Sequence, residues 1–428
     1  MRHEPIPPDL FIDRRKRFAK QMDRDAIAVF YSNAPMPCSG DQDFPFRQDS
    51  DVFALSGLDQ PGTIIVLYPQ AKDPAWREMA FILPHDPHHA IWNGKRYTIR
   101  EAQSISGIET VLPVSRWNKW LSQVIDQVSS VYLNSNIPKT SADRMANFQD
   151  QMAREWKTKW PDFHYRSTAS ILQRQRMIKH PVELELMRRA IAVTGEAFDN
   201  VLGIVSPGMK EYEIEAVLSH TITQHGCYHA FEPIVASGKS ACTLHYTRND
   251  GVLRPKSLML LDFGAAYAYM ASDMSRTIPI SGRFTPRQRE IYLEVLHILN
   301  EITSIMRPGV TIAELNVETN KLMDRALLNL KLVTRKELRQ QDKTHPVRLK
   351  YFMHGIGHHL GYDVHDIHEK SAPLKTGMVL TCEPGLYIAK EKTGIRLEND
   401  ILITRGKPRN LMTGIPIDPD EIEDRMNL

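Results

Sequence analysis

"SPGMKEYEI" (residues 206–214) returns as "RPGVTIAEL" (residues 307–315), and this recurrence decides the fold class. Both copies run Pro-Gly, then an acidic residue five positions after the glycine (Glu213, Glu314), then an apolar one (Ile214, Leu315). Each copy lies between two helical patterns. In the second, Thr311 and Glu314 have the spacing of a capping box, the hydroxyl serving a backbone N–H of the first turn. After each copy comes an apolar, strand-like region with two well-separated carboxylates. These are Asp262 and Asp273 after the first copy, Glu383 and Glu398 after the second. The same order met twice predicts an α+β domain made of two duplicated halves.

Upstream of the first copy, "HPVELELMRRAIAVTGEAFDNVLGIV" (180–205) predicts a long amphipathic helix with Pro181 in its first turn and "SPG" stopping it. The pattern changes near residue 175. The expected division is therefore a smaller α/β domain over 1–174 and the duplicated domain over 175–428. In the smaller domain "AIAVFYS" (26–32) and "GTIIVLYP" (62–69) read as strands. "DRRKRFAKQM" (13–22) and "VSRWNKWLSQVIDQV" (114–128) read as helices.

Composition excludes several function classes. Hydrophobic residues make up 42% and charged residues 25% of the 428, as in globular proteins. A net charge of +3 is too mild to indicate a nucleic-acid partner. The basic segment "RKELRQQDKTHPVRLK" (335–350) also carries Glu337 and Asp342, so it reads as a solvated loop or helix end. No apolar run approaches the ~18 residues of a membrane span, and the N-terminus lacks a secretory h-region. Cys38, Cys227, Cys242 and Cys382 are scattered, which fits a reducing cytoplasm.

The carboxylates are the anomaly. "SLMLLDFGAAYAYMASDMSRT" (257–277) reads as two strands meeting near "GAA", with Asp262 after four apolar residues and Asp273 in the return strand. "GMVLTCEPGLYI" (377–388) and "GIRLENDILIT" (394–404) repeat the pattern with Glu383 and Glu398. Alternation puts Arg396, Glu398 and Asp400 on one strand face. A single carboxylate could be half of a core ion pair. Four in apolar strands need a common counter-charge. Between the two pairs lies "HGIGHHLGYDVHDIH" (354–368), in which glycines permit close backbone approach outside a regular helix. It lacks the glutamate of the zinc signature H-E-x-x-H. Histidine with four carboxylates is an oxygen-rich set, suited to Mn²⁺, with Co²⁺, Fe²⁺ or Zn²⁺ as substitutes. Two divalent ions would cancel the carboxylate charge.

The order Asp262, Asp273, His358, Glu383, Glu398 resembles the five-ligand pattern of the pita-bread metallopeptidases, which include methionine aminopeptidase, aminopeptidase P, prolidase and creatinase. "LLDFGA", "SDMSRT", "TCEPGLYI" and, upstream, "TLHYTRND" with His245 carry the likeness further. "DFPFRQDSDVFALSGLDQPG" (43–62) resembles the amino-terminal module of aminopeptidase P and prolidase, which methionine aminopeptidases lack. One departure is "DVHDIHEKS" (363–371), where many relatives have a glycine soon after "VHD".

The resemblance implies a pita-bread catalytic domain and a two-metal Xaa-Pro aminopeptidase acting on peptides with proline at the second position. It also implies a homo-oligomer, dimer or tetramer. Asp273 and Glu398 would bridge the ions, Asp262 would bind one, and His358 and Glu383 would complete the other. Glu383 would move the proton, His354 and His365 would serve substrate and proton transfer, and His245 and Arg396 would bind substrate. In "IWNGKRYTIREA" (91–102), Trp92 would reach a neighbouring subunit's site, or else anchor its own domain from within. His359 and His368 are expected at the surface or behind the ligands, and Tyr387 in the core. Prolidase is the nearest alternative. A non-catalytic binding module of the same fold is the alternative from another class, and the intact ligand set argues against it.

Overall fold

A computed structural model describes residues 2–135, 147–342, 344–369 and 371–427. The chain forms two compact units, Glu4–Gln175 and Arg176 onward. Arg2 and His3 group with the larger unit. The cause is local: the Arg2 guanidinium lies 4.7 Å from the centre of the Tyr228 ring, and His3 meets Tyr267 edge-on.

The smaller unit is built on a six-stranded mixed sheet. Its strand Ala26–Tyr31 runs antiparallel to Ile64–Leu67 and parallel to Ser130–Leu133. An unbroken apolar run suits that central place, and all six of its residues are buried. Helix Trp117–Val124 supplies Trp117 and Trp120, which pack on Phe81 with ring centres 5.2 and 5.5 Å away.

In the larger unit the helix pair Pro181–Leu202 and Glu211–Gln224 precedes the antiparallel sheet Ile234–Ser237, Leu258–Phe263, Met274–Pro279. The pair Pro286–Ile305 and Ile312–Asn329 precedes the sheet Val379–Cys382, Asn399–Leu402, Arg409–Asn410. This is the duplicated order that the repeat predicts. The repeat's shared acid has one job in both copies. Glu213 accepts the backbone N–H of Lys210, and Glu314 that of Thr311, so each closes the first turn of its helix. The basic segment forms a capped helix Arg335–Gln340 and a short turn Val347–Lys350, with Lys343 outside the described residues.

One expected turn lies elsewhere. The strand runs through Gly264 into Ala265–Tyr267, and the chain reverses at Ala268 and Tyr269, both with positive φ (50° and 68°). A turn with two left-handed residues usually announces itself by Asn or Gly, and here it does not. Gly264 serves close packing instead: a Cβ there would lie 1.8 Å from the Ser272 carbonyl oxygen.

Candidate metal centre

The two sheets are stitched together where the acids lie. Asp262 stands opposite Ser275 in strand register. Glu398 N–H donates to the Ser275 carbonyl at 3.1 Å, and Ser275 Oγ donates to Glu398 Oε2 at 2.8 Å. Arg396 Nε donates to the same hydroxyl at 2.8 Å, while another of its guanidinium nitrogens grips Asp262 Oδ2. The regular strand is interrupted at Leu397 and Glu398, where the chain passes from the hairpin Gly385–Ile388/Thr393–Arg396 to the next sheet. The side chains of Arg396, Glu398 and Asp400 still converge, Asp400 Oδ2 accepting Asp273 N–H at 3.3 Å.

The histidine segment reaches the same place by lying along Val379–Cys382. Thr381 N–H donates to the His358 carbonyl at 2.9 Å, and Glu383 N–H to that of Ile356 at 2.9 Å. Gly357 makes this possible, since a Cβ there would lie 2.1 Å from the Thr381 carbonyl oxygen. His358 Nε2 is thereby set 3.4 Å from Asp273 Oδ2 and 3.7 Å from Glu383 Oε1. Asp273, His358 and Glu398 each offer a ligand atom, all within 4.8 Å of one another. Of the five expected ligands, Asp262 alone is turned onto a guanidinium, and its other oxygen, Oδ1, is buried without a partner among the described residues, as is Glu398 Oε1.

Electrostatics match a cation site. Burial, then the charges of Glu398 and Asp262, hold Asp273 well above the usual carboxylate range. Burial and Glu398 do the same to Glu383, and burial with Asp262 pushes Glu398 up to about 7. Asp400, wholly buried, is raised by burial and then by Asp273. Without a counter-ion these acids can share the space only by keeping protons. Divalent cations would release them, and the orphaned oxygens of Asp262 and Glu398 are free to coordinate. The donor set fits divalent cations.

The acids open onto a cleft of about 360 Å³ whose lining residues all belong to the larger unit. His245, His354 and His365 line it together with the apolar Phe231, Ile234 and Leu244. Burial, then the Arg396 charge, lowers His354 to about 4. Burial and His358 lower His365 to about 4 as well. Both are therefore neutral imidazoles at physiological pH. His354 Nε2 lies 2.8 Å from the Tyr387 hydroxyl, which also takes a hydrogen bond from Arg396 at 3.0 Å. Its Nδ1 lies 2.8 Å from the Gly355 carbonyl and 3.8 Å from Glu383 Oε2. With Nδ1 donating to Gly355, Nε2 accepts from Tyr387.

Residues outside the expected set also matter. Tyr387 is buried, yet it links His354 to Arg396, a role that a tyrosine in an apolar strand does not advertise. Asp400 shares the face of Arg396 and Glu398, which was its only signal. His359 is buried and stacks on His368 with ring centres 5.0 Å apart, behind the ligand strand. Trp92 is 79% exposed on helix Pro87–Asn93 of the smaller unit, so it is no buried anchor of its domain.

The model of metallopeptidase family M24 matches residues 185–405, and that of the aminopeptidase P N-terminal domain matches 11–132. The Xaa-Pro aminopeptidase of Escherichia coli is 32% identical over 97% of both chains. Among solved structures, E. coli aminopeptidase P with the inhibitor Pro-Leu superposes with a TM-score of 0.88 at 30% identity, covering 99% of each chain. The zinc-substituted E. coli enzyme in complex with product gives 0.87 at 31%, with the same coverage.

Proposed function

The chain belongs to metallopeptidase family M24, and on that premise we propose that it is a metal-dependent Xaa-Pro aminopeptidase, hydrolysing the bond between an N-terminal residue and a following proline. The observation that carries this reading is the convergence of acids from both halves with His358 in a cleft lined by the imidazoles of His245, His354 and His365.

Asp262, Asp273, His358, Glu383 and Glu398 would hold two divalent ions, for which manganese is our proposed occupant. Ions in such a set activate water and polarise a carbonyl. The remaining work falls to side chains. Glu383 is partly open to the cleft and lies near both His358 and His354. Its place on the cleft side of the acids, between the two imidazoles, suits it to accept a proton during attack and deliver it to the prolyl nitrogen as that nitrogen leaves. That nitrogen belongs to a tertiary amide and carries no hydrogen before cleavage, so protonation is needed to make it an amine. His354, fixed by Tyr387 and Gly355, lies where it can support Glu383. His365 and His245, on loops that line the cleft, would hydrogen-bond the substrate. Arg396 would orient Asp262 and anchor the peptide.

Trp92 and its neighbour Ile91 are exposed together, which supports a role at a partner subunit in a homo-oligomer. All four cysteines are free, which supports a cytoplasmic location, and no described helix is long and apolar enough to cross a membrane.

The test compares an Xaa-Pro dipeptide with an Xaa-Pro-Xaa tripeptide, each with and without Mn²⁺. Metal-dependent release of the first residue from the tripeptide is expected. Cleavage of the dipeptide alone would identify a prolidase. Cleavage of neither by the metal-loaded protein would overturn the proposal.

A further inference from the structure

His365 reaches the cleft on a segment, residues 361–368, that has neither helix nor strand. Such a segment does not hold a side chain still by its own hydrogen bonds. What holds it is the next residue. Asp366 is buried, and its two oxygens are taken by two buried cations from the start of the larger unit. Arg176 lies 2.5 Å from Oδ1, and Lys179 Nζ lies 3.1 Å from Oδ2. Arg176 also pairs with Asp363 at 2.8 Å, and Lys179 donates to the Arg176 carbonyl at 2.6 Å. The buried charge of Asp366 thus meets two buried cations, and Arg176 has the more exposed Asp363 as a further partner.

The backbone is fitted to this cluster. Asp366 N–H donates to the His359 carbonyl at 2.9 Å, tying the segment to the strand partner that carries His358. A Cβ on Gly361 would lie 1.9 Å from Asp366 Oδ2 and 2.8 Å from Lys179 Nζ, so the glycine clears the space the ion pair fills. Beyond the cluster the His365 ring stands at 71° to that of His358, with centres 4.3 Å apart.

We propose that Asp366, clamped by Arg176 and Lys179, is the positioning residue for His365, fixing that imidazole over the metal centre. A buried ion pair is weak support for stability, because desolvation offsets the attraction, whereas it does fix geometry. The inference rests on the aminopeptidase reading for His365's role in the reaction, and on the contacts alone for its placement.

Lys179→Met keeps the apolar stem and removes one arm of the clamp. In the metal-loaded enzyme kcat/KM for an Xaa-Pro-Xaa tripeptide is expected to fall roughly tenfold, with metal content unchanged. In a His365→Ala background the same change should have little further effect. Equal losses in both backgrounds, or loss of metal, would overturn the clamp. Should Lys179→Met not fold, Gly361→Ala perturbs the same carboxylate and carries the same comparison. Imidazole resonances of histidine-labelled protein, assigned through His365→Ala, give a readout independent of turnover. A shifted or averaged His365 signal in Lys179→Met supports the clamp even if the assigned reaction is wrong, and an unchanged signal overturns it even if the reaction is right.

Discussion

Exhaustive removal of divalent ions is expected to abolish peptide hydrolysis, and Mn²⁺ to restore it. Asp262, Asp273, Glu383 and Glu398 face one cleft, and Arg396 is the one arginine or lysine among its described lining residues. Stability should respond as well as activity. Asp273, Glu383 and Glu398 have raised proton affinity in the folded state, so the stripped protein binds protons that the unfolded chain does not. Their contribution is present below the ordinary carboxylate range and is lost as pH rises through the folded values, about 7 for Glu398. His354 and His365, both lowered to about 4, act in the opposite sense: folding gains from them as pH rises towards 6.5. Total stability mixes the two. The difference in Tm with and without metal isolates the ligands, because protons and cations compete for the same oxygens. It should widen from about pH 5 to about pH 8. Full activity in metal-free protein, or a difference that narrows over this range, would contradict the site.

Glu383→Gln should lower kcat by ~10²-fold or more while leaving substrate binding near the parent value. The amide keeps the shape and one ligating oxygen but cannot accept a proton. Its neighbours limit compensation. His354 has Tyr387 on Nε2 and the Gly355 carbonyl at Nδ1, and at a value of about 4 it is a poor substitute base. His358 Nε2 is directed to Asp273 and Glu383. A steady-state comparison on one tripeptide suffices, with metal content measured alongside. An unchanged kcat would make Glu383 a structural acid.

What the sequence disclosed, and what it hid, follow from how far apart the interacting residues lie. The duplicated halves were legible because each repeats a local device, the glutamate that closes a helix turn at Lys210 or Thr311. The acids of the cleft were legible because an acid in an apolar strand is costly wherever it occurs. The reversal at Ala268 and Tyr269 was not, since neither residue type favours positive φ and the turn is imposed by strand pairing on both sides. Tyr387 was hidden for a related reason. Its hydroxyl matters only because Arg396 lies across the hairpin and His354 comes alongside from a distant segment. The link from Asp366 to Arg176 spans 190 residues, and nothing local in either segment signals it.

Metal stoichiometry by elemental analysis on the wild type and on His358→Ala, His354→Ala, His365→Ala and His359→Ala separates the ligand from the other imidazoles. Two divalent ions per chain are expected in the wild type, and in the His354, His365 and His359 variants. His358→Ala alone should lose metal, with a lower Tm. A full site in His358→Ala beside an empty one in His354→Ala or His365→Ala would contradict the assignment of ligands.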